Sequence, residues 1–268
     1  MNTADYLTRL GLEPTVGDPP TRDALARLQR AHVQSVPFEN LSITGDPFGD
    51  RPGNGVSLDE AHLYEKIVGR NRGGFCFELN GLFCWLLAEL GYDVDRYAAR
   101  IANDDGTFGP PADHLTLGVA LDHPYIVDVG LGIPKLRQPL PADGTTIADA
   151  AGFEWRLVES DRPDADFLSQ YRKPGQEAWQ DRFIFETIPR TMGYFEATCE
   201  HFQKAPDSLF NQSPFVMLAT ENGHARLTPD TSSVSVKDDV TERTIDPTEW
   251  ETLLEREFGI DTDGVTAW

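Results

Sequence analysis

Arg72-Gly73-Gly74-Phe75-Cys76-Phe77-Glu78-Leu79-Asn80 opens the longest apolar-periodic stretch of a 268-residue chain. The glycine pair interrupts whatever precedes it, and Leu79, Phe83, Leu86, Leu87 and Leu90 then recur at helical spacing until Gly91. A helix is therefore predicted between the two glycine signals. Cys76 falls in its first turn, where unsatisfied N–H groups and the helix dipole favour negative charge. Arg72 lies four residues earlier and adds a positive neighbour. Together these predict a thiol with a depressed pKa, a nucleophile at neutral pH. The competing assignment is a buried, inert cysteine, the ordinary fate of a lone thiol in an apolar helix.

A nucleophilic thiol needs an imidazole to take its proton and a carboxylate to orient that imidazole. From Val94 the apolar period changes from helical to alternating, predicting strands over Val94–Ile101, His114–Leu121 and Tyr125–Gly130. His114 begins one of these and Asp128 lies near the end of the next. A hairpin turning at Asp122-His123-Pro124 brings the two to one edge of a sheet, with neighbouring strands about 4.5–5.5 Å apart. A structural role for the pair is the alternative. His32, His62, His123, His201 and His224 have no partners at metal-ligand spacing, and no metal site is predicted.

Outward from this centre, the N-terminal third reads as helical. One helix is expected from a Thr3 cap to Gly11, another from Thr21 to Pro37, and a third from a Ser57–Glu60 capping box to Gly69. Beyond the triad strands, further strands are expected at Phe153–Val158 and Arg182–Thr187, then a helix from Met192 to Gln203. Short strands follow at Phe215–Thr220, Ala225–Thr228, Val234–Lys237 and Val240–Ile245, and Asp246-Pro247 starts a last helix ending at Phe258. The Pro/Gly-rich segments Asp46–Gly55 and Pro139–Gly152 read as loops. The chain is thus α+β, divided into 1–90, 91–190 and 191–268.

Composition narrows the function. With 44 acidic against 23 basic residues the net charge is −21, which argues against nucleic acid or an anionic membrane as partner. Only five of the basic residues are lysines, and the acidic residues spread along the whole chain, as in proteins of salt-accumulating cells. No apolar run is long enough to span a bilayer and the N-terminus lacks a signal-peptide pattern, so a cytoplasmic location is expected. Three cysteines are too few for a disulfide framework. Cys84, about 12 Å along the helix from Cys76, reads as core.

The stretch Arg72–Asn80 resembles the nucleophile motif of the arylamine N-acetyltransferase family. Pro37-Phe38-Glu39-Asn40-Leu41, Lys66-Ile67-Val68-Gly69-Arg70 and Asp128-Val129-Gly130-Leu131-Gly132 are similar to other family segments, as are Tyr6-Leu7 and Arg9-Leu10-Gly11. The likeness is collinear to about residue 135 and then thins to Phe195-Glu196 and Pro206-Asp207-Ser208-Leu209-Phe210. It implies a papain-like cysteine-triad core made by an N-terminal helical bundle and a β-barrel-like middle domain, with a C-terminal α/β lid. It also implies ping-pong transfer of acetyl from acetyl-CoA, a co-substrate and not a resident cofactor, to arylamines, arylhydrazines or N-arylhydroxylamines. Cys76 is then the nucleophile, His114 the base and Asp128 its orienter. Gly130, Leu131, Gly132, Pro110, Pro111 and Ser208 would contact CoA, and Phe38, Phe75, Asp113 and Leu131 the acceptor.

Two departures bear on specificity. The family usually has phenylalanine where this chain has Leu131, and often asparagine before an aromatic pair where this chain reads Cys199-Glu200-His201-Phe202. Three other readings compete: an amide synthase of the same family, a thiol hydrolase of papain or transglutaminase type, and a catalytically silent binding module. The molecule is expected as a monomer or homodimer. An anionic co-substrate meeting so acidic a protein should turn over faster in molar salt, where the Debye length is about 3 Å.

Overall fold

The computed structural model describes residues 1–13, 19–48, 52–237 and 239–261. In chain order its regular elements are α1 (Thr3–Arg9), α2 (Arg22–Ser35), β1 (Phe38–Glu39), α3 (Leu41–Thr44), α4 (Glu60–Tyr64), α5 (Cys76–Glu89), β2 (Asp93–Ile101), β3 (His114–Ala120), β4 (Pro124–Val127), β5 (Leu140–Pro141), β6 (Ile147–Ala148), β7 (Glu154–Glu159), β8 (Phe167–Arg172), β9 (Gln180–Pro189), α6 (Glu196–Lys204), β10 (Val216–Ala219), β11 (Gly223–Leu227), β12 (Thr231–Val236), β13 (Asp239–Thr244) and α7 (Trp250–Phe258).

Local chemistry places the helix starts. Thr21 caps α2 through its side chain, as its position before the apolar series predicts. At α1 the cap is Asn2 in place of the expected Thr3, because the Asn2 side chain reaches the Ala4 N–H at 2.9 Å. At α4 the cap is Asp59, which accepts from the His62 N–H at 3.0 Å, while Ser57 is taken up by a turn to the Asp59 N–H. The expected helix to Gly69 does continue, but as a π turn over Glu65–Gly69. Helix α5 is buried on every side of its first turns, with the consecutive residues Cys76, Phe77, Glu78 and Leu79, which go round the helix, all inaccessible, which marks it as the central helix of the N-terminal part.

The middle sheet is antiparallel, in the order β5-β4-β3-β2-β9-β8-β7-β6. It curls until edge strand β5 approaches β7, a nearly closed, barrel-like wall. Helix α5 packs on β2 and β3, so the sulfur-bearing helix lies against the strand that carries His114. Strands β5 and β6 occupy the segment Pro139–Gly152 expected as a loop, because short edge strands at sheet margins carry little apolar alternation to read. Strand β8 was equally silent: its alternation Phe167, Ser169, Tyr171 runs through polar residues. A second sheet, β1-β10-β11-β12-β13, pairs Phe38–Glu39 of the N-terminal part with the C-terminal strands. Residues 49–51 of the expected Asp46–Gly55 loop lie outside the described residues.

Candidate active site

A buried polar framework places the start of α5. The Arg72 guanidinium donates to Glu39 at 2.8 Å, and the Lys66 ammonium pairs with Glu78 at 2.6 Å and with Glu39 at 3.8 Å, all four side chains essentially inaccessible. Two cations and two carboxylates balance, as a buried cluster must. Burial works to raise both acids; Arg72 and Lys66 reverse this for Glu39 and hold it below its usual range, whereas Glu78 stays raised. Glu78 also accepts from the Phe75 N–H at 3.1 Å, which closes the helix start. The turn is pinned from the other side by Glu39 N–H donating to the Gly74 carbonyl at 2.9 Å. Gly73 is required here, since a Cβ would sit 2.0 Å from the Pro37 carbonyl oxygen.

Asn80, one turn after Cys76, clamps α5 to the sheet. Its side-chain N–H donates to the Leu115 carbonyl at 2.6 Å and to Asp128 Oδ1 at 3.0 Å, and its oxygen accepts from the Val129 N–H at 2.9 Å. Gln29 holds the same loop from below, donating to the carbonyls of Asp128 and Leu136. Gly130 backs directly on Cys76: a Cβ there would lie 2.8 Å from Cys76 Cα. The sulfur itself lies 3.9 Å from the carbonyl oxygen of Asp113, the residue before His114.

His114 Nε2 and Asp128 Oδ2 are 2.6 Å apart, both buried. The hairpin register is shifted by one residue from the expected midpoint, pairing Leu117 with Val127, so Asp128 reaches His114 diagonally and also takes a hydrogen bond from Thr116. Burial opposes the carboxylate, but His114, Asn80 and Thr116 together hold it below its usual range. An ionised Asp128 makes Nε2 the donor and leaves Nδ1 as the free lone pair.

Cys76 departs from expectation. It is 3% exposed, and burial pushes the thiol well above the usual cysteine range, with Asp113 and Asp128 adding to the rise and the Phe77 N–H opposing it. The positive field expected from Arg72 does not reach it, because that guanidinium is neutralised by Glu39. Burial and the nearby carboxylates thus favour the protonated sulfur over the thiolate, so a base that accepts its proton has to accompany ionisation.

The remaining expected contacts separate into two sets. Phe38 and Phe75 meet at Phe210, 6.2 and 5.1 Å away between ring centres, and Gly132 faces Phe38 and Met217. Pro110 and Pro111 are exposed on the loop before β3. By contrast Leu131 is buried in the core of the middle sheet with Phe153, Trp155 and Phe183. Asp113 is 9% exposed and gives one oxygen to the Ile101 N–H, and burial raises its pKa to about 6. The Ser208 hydroxyl is used within its own loop, donating to Phe202 and accepting from Phe210. Phe210 and Asn80 had no sequence signal beyond their places in the quoted motifs, and Gln29 had none. A cleft of about 760 Å³ lies between residues 54–59 and α6, lined by Cys199 and Gln203. A second, of about 650 Å³, lies beside Arg30 and Arg137. Neither is lined by Cys76, His114 or Asp128. All three cysteines are free and buried, and among the described residues no cluster of His, Cys, Asp and Glu could hold a metal. No helix among them is long and apolar enough to cross a membrane.

An N-acetyltransferase family model matches residues 21–266. The chain is 33% identical over 235 residues to an arylamine N-acetyltransferase of Mycolicibacterium smegmatis, covering 85% of this chain and 80% of that one. The chain belongs to the arylamine N-acetyltransferase family. It superposes on the Mycobacterium marinum enzyme solved in complex with CoA with a TM-score of 0.82 at 28% identity, over 99% of this chain and 97% of that one. A Bacillus cereus family member described as having a unique Cys-His-Glu catalytic triad matches with a TM-score of 0.85 at 25% identity, over 97% and 99% of the two chains. Here the residue bonded to the imidazole is Asp128. As a family member the protein is an acyltransferase.

Proposed function

We propose that this arylamine N-acetyltransferase carries acetyl from acetyl-CoA to an aromatic amine or hydrazine on Cys76, with His114 as base and Asp128 as its orienter. The observation that carries the proposal is the 2.6 Å His114–Asp128 contact, set by Asn80 against the helix that begins at Cys76. His114 Nδ1 takes the thiol proton, and the thiolate attacks the thioester carbonyl. The CoA thiolate leaves with that proton. The amine then attacks the acyl-cysteine, the imidazole receives its proton, and the S–C bond breaks so that the Cys76 thiolate leaves and takes that proton back. The imidazolium formed each time sits against a buried carboxylate, which offsets the unfavourable ionisation of a buried thiol. The Cys76 N–H, in the first turn of α5, is the donor we assign to the oxyanion.

Gly130, Gly132, Pro110 and Pro111 are the backbone we assign to CoA, and Phe38 with Phe210 the aromatic wall we assign to the acceptor. Leu131 and Ser208 drop out of direct contact in this reading, since one side chain is in the middle core and the other hydroxyl is internally bonded. Division into 1–90, 91–190 and 191–268, with a papain-like junction of the first two, is part of this reading: one apolar core lies within the middle sheet, a second joins Leu41 to the C-terminal strands and α7, and the largest packs the N-terminal helices against β3 and β4, which supports the junction. The acid-rich surface supports salt-dependent activity and a cytoplasm rich in salt. Steady-state assays with acetyl-CoA and a panel of aryl amines and hydrazines test the function. Parallel double-reciprocal lines, lost in Cys76→Ser, are expected; peptide or ester hydrolysis without acetyl-CoA dependence would overturn it.

A further inference from the structure

The five-stranded sheet has an open edge. Its outermost strand is β13, all six residues of which are exposed, and the β12–β13 pairing runs from Thr231–Thr244 to Val236–Asp239 without a bulge. Such an edge offers a row of unpaired backbone donors and acceptors. Which residues offer them follows from the ladder. The Ile245 N–H donates to the Asp230 carbonyl at 3.0 Å, one step beyond the Thr231–Thr244 pair, and bonded and non-bonded pairs alternate along antiparallel strands. Asp239, Thr241 and Arg243 therefore spend their backbone groups on β12, and Val240, Glu242 and Thr244 turn theirs outward. The far side of β12 agrees: the Lys237 N–H donates to Asn222 at 2.8 Å and the Thr231 carbonyl accepts from Thr228 at 2.9 Å, so the odd-numbered residues of that strand face β11.

A second copy of β13 can fill this edge. Twofold antiparallel pairing that matches outward residues with outward residues must be centred on a residue, and only centres at Thr241 and Glu242 align five positions of the strand, 239–243 or 240–244. Charge separates the two. Centring on Glu242 sets its carboxylate directly against the same carboxylate of the second copy, which is destabilising. Centring on Thr241 sets Asp239 opposite Arg243 of the second copy, twice, and threonine opposite threonine, both favourable pairs at the non-hydrogen-bonded positions where side chains lie closest. Arg243 uses only Nη1 on Glu249, at 3.0 and 3.2 Å, so Nε and Nη2 remain for the aspartate. The same register covers an apolar residue left in water. Leu218, Ala225, Val234 and Thr241 form one row across β10 to β13, in which Ala225 is buried and Val234 exposed. Pairing at Thr241 continues that row into the second copy. We propose that two copies of this chain associate through β13, antiparallel about Thr241, joining two five-stranded sheets into one. Each copy's net charge of −21 opposes approach in dilute buffer, and salt near 1 M, with a Debye length of about 3 Å, removes that obstacle.

Light scattering after gel filtration in about 1 M potassium chloride should give the mass of two chains for the wild-type protein. Glu242→Pro removes an outward N–H and spares the bonds to β12, so it should give single chains, whereas Glu242→Gln should stay paired. Asp239→Arg and Arg243→Asp should each weaken association by about three- to tenfold, and both together in one chain, which restores opposite charges across the twofold, should recover it. Thr241→Cys reads the register. Opposed Cα atoms at such a position lie about 4.5 Å apart, within disulfide reach, so mild oxidation should link two copies. Val240→Cys faces Glu242 of the second copy and should not link, and the three native cysteines are buried. Wild-type protein of single-chain mass, a dimer indifferent to Glu242→Pro, or Val240→Cys linking as readily as Thr241→Cys would each overturn the proposal. Should the proline variant fail to fold, the contrast between the two cysteine variants decides.

Discussion

Gly130→Ala is the sharpest mechanical test of how the site is assembled. The added methyl would lie 2.6 Å from Asn80 Nδ2, 2.8 Å from Cys76 Cα and 2.9 Å from the Cys76 carbonyl oxygen. Carbon contacts are comfortable at about 3.5–4.0 Å, so the Asp128 loop and α5 must part by roughly 0.6–1 Å. That motion pulls on the Gly130 N–H and Asn80 bonds to Asp128 Oδ1, at 2.9 and 3.0 Å, and so on the alignment of His114. A displacement of this size costs on the order of 10²-fold in rate, and the overpacking about 1–3 kcal/mol of stability. Gly193→Ala, outside the assigned site, is the matched control, because its methyl would meet only Glu196 Oε1 at an ordinary 3.8 Å. The assay is single-turnover acylation by acetyl-CoA in rapid quench, with thermal denaturation alongside. Gly130→Ala acylating within a few-fold of wild type, or Gly193→Ala failing equally, would refute the reasoning.

Asp128→Asn should lower the acylation rate by about 10³–10⁴-fold with near-normal folding, because the amide no longer enforces the tautomer with a free Nδ1; a rate within tenfold of wild type, by stopped-flow release of CoA, would contradict this. Asp113, raised to about 6 by burial, binds its proton more tightly folded than unfolded, so its contribution to stability is present at low pH and is lost as pH rises toward and through 6. Asp113→Asn keeps an acceptor for the Ile101 N–H and should remove that decline, read as Tm against pH between about 4 and 7. Lys66→Met leaves Glu39 and Glu78 buried with one cation between them, at a cost of about 3–5 kcal/mol in urea unfolding, and adding Glu78→Gln should recover part of it.

The helices and the His114–Asp128 pair were legible because their signals are local. Glycines bracket α5, Thr21 caps α2, and the turn before Pro124 brings the hairpin ends together. What the sequence could not show was where charge goes on folding. Arg72 reads as a positive neighbour of Cys76 four residues away, yet tertiary packing turns it to Glu39, thirty-three residues distant, and the thiol is left to burial. Leu131 sits between two glycines in the loop after Asp128, but its side chain turns into the middle core. Asn80 and Gln29 act through bonds to backbone carbonyls, which no residue pattern encodes. The edge strands β5 and β6 exist only by pairing with strands whose position depends on the curl of the whole sheet.

Intact-protein mass spectrometry after brief exposure to acetyl-CoA tests the acyl-carrier assignment most directly. The account predicts a single acetyl group, mapped to Cys76, absent from Cys76→Ala and discharged when an aryl amine is added. Acetylation at Cys84 or Cys199, or an acetyl-enzyme that forms equally well without Cys76, would contradict it.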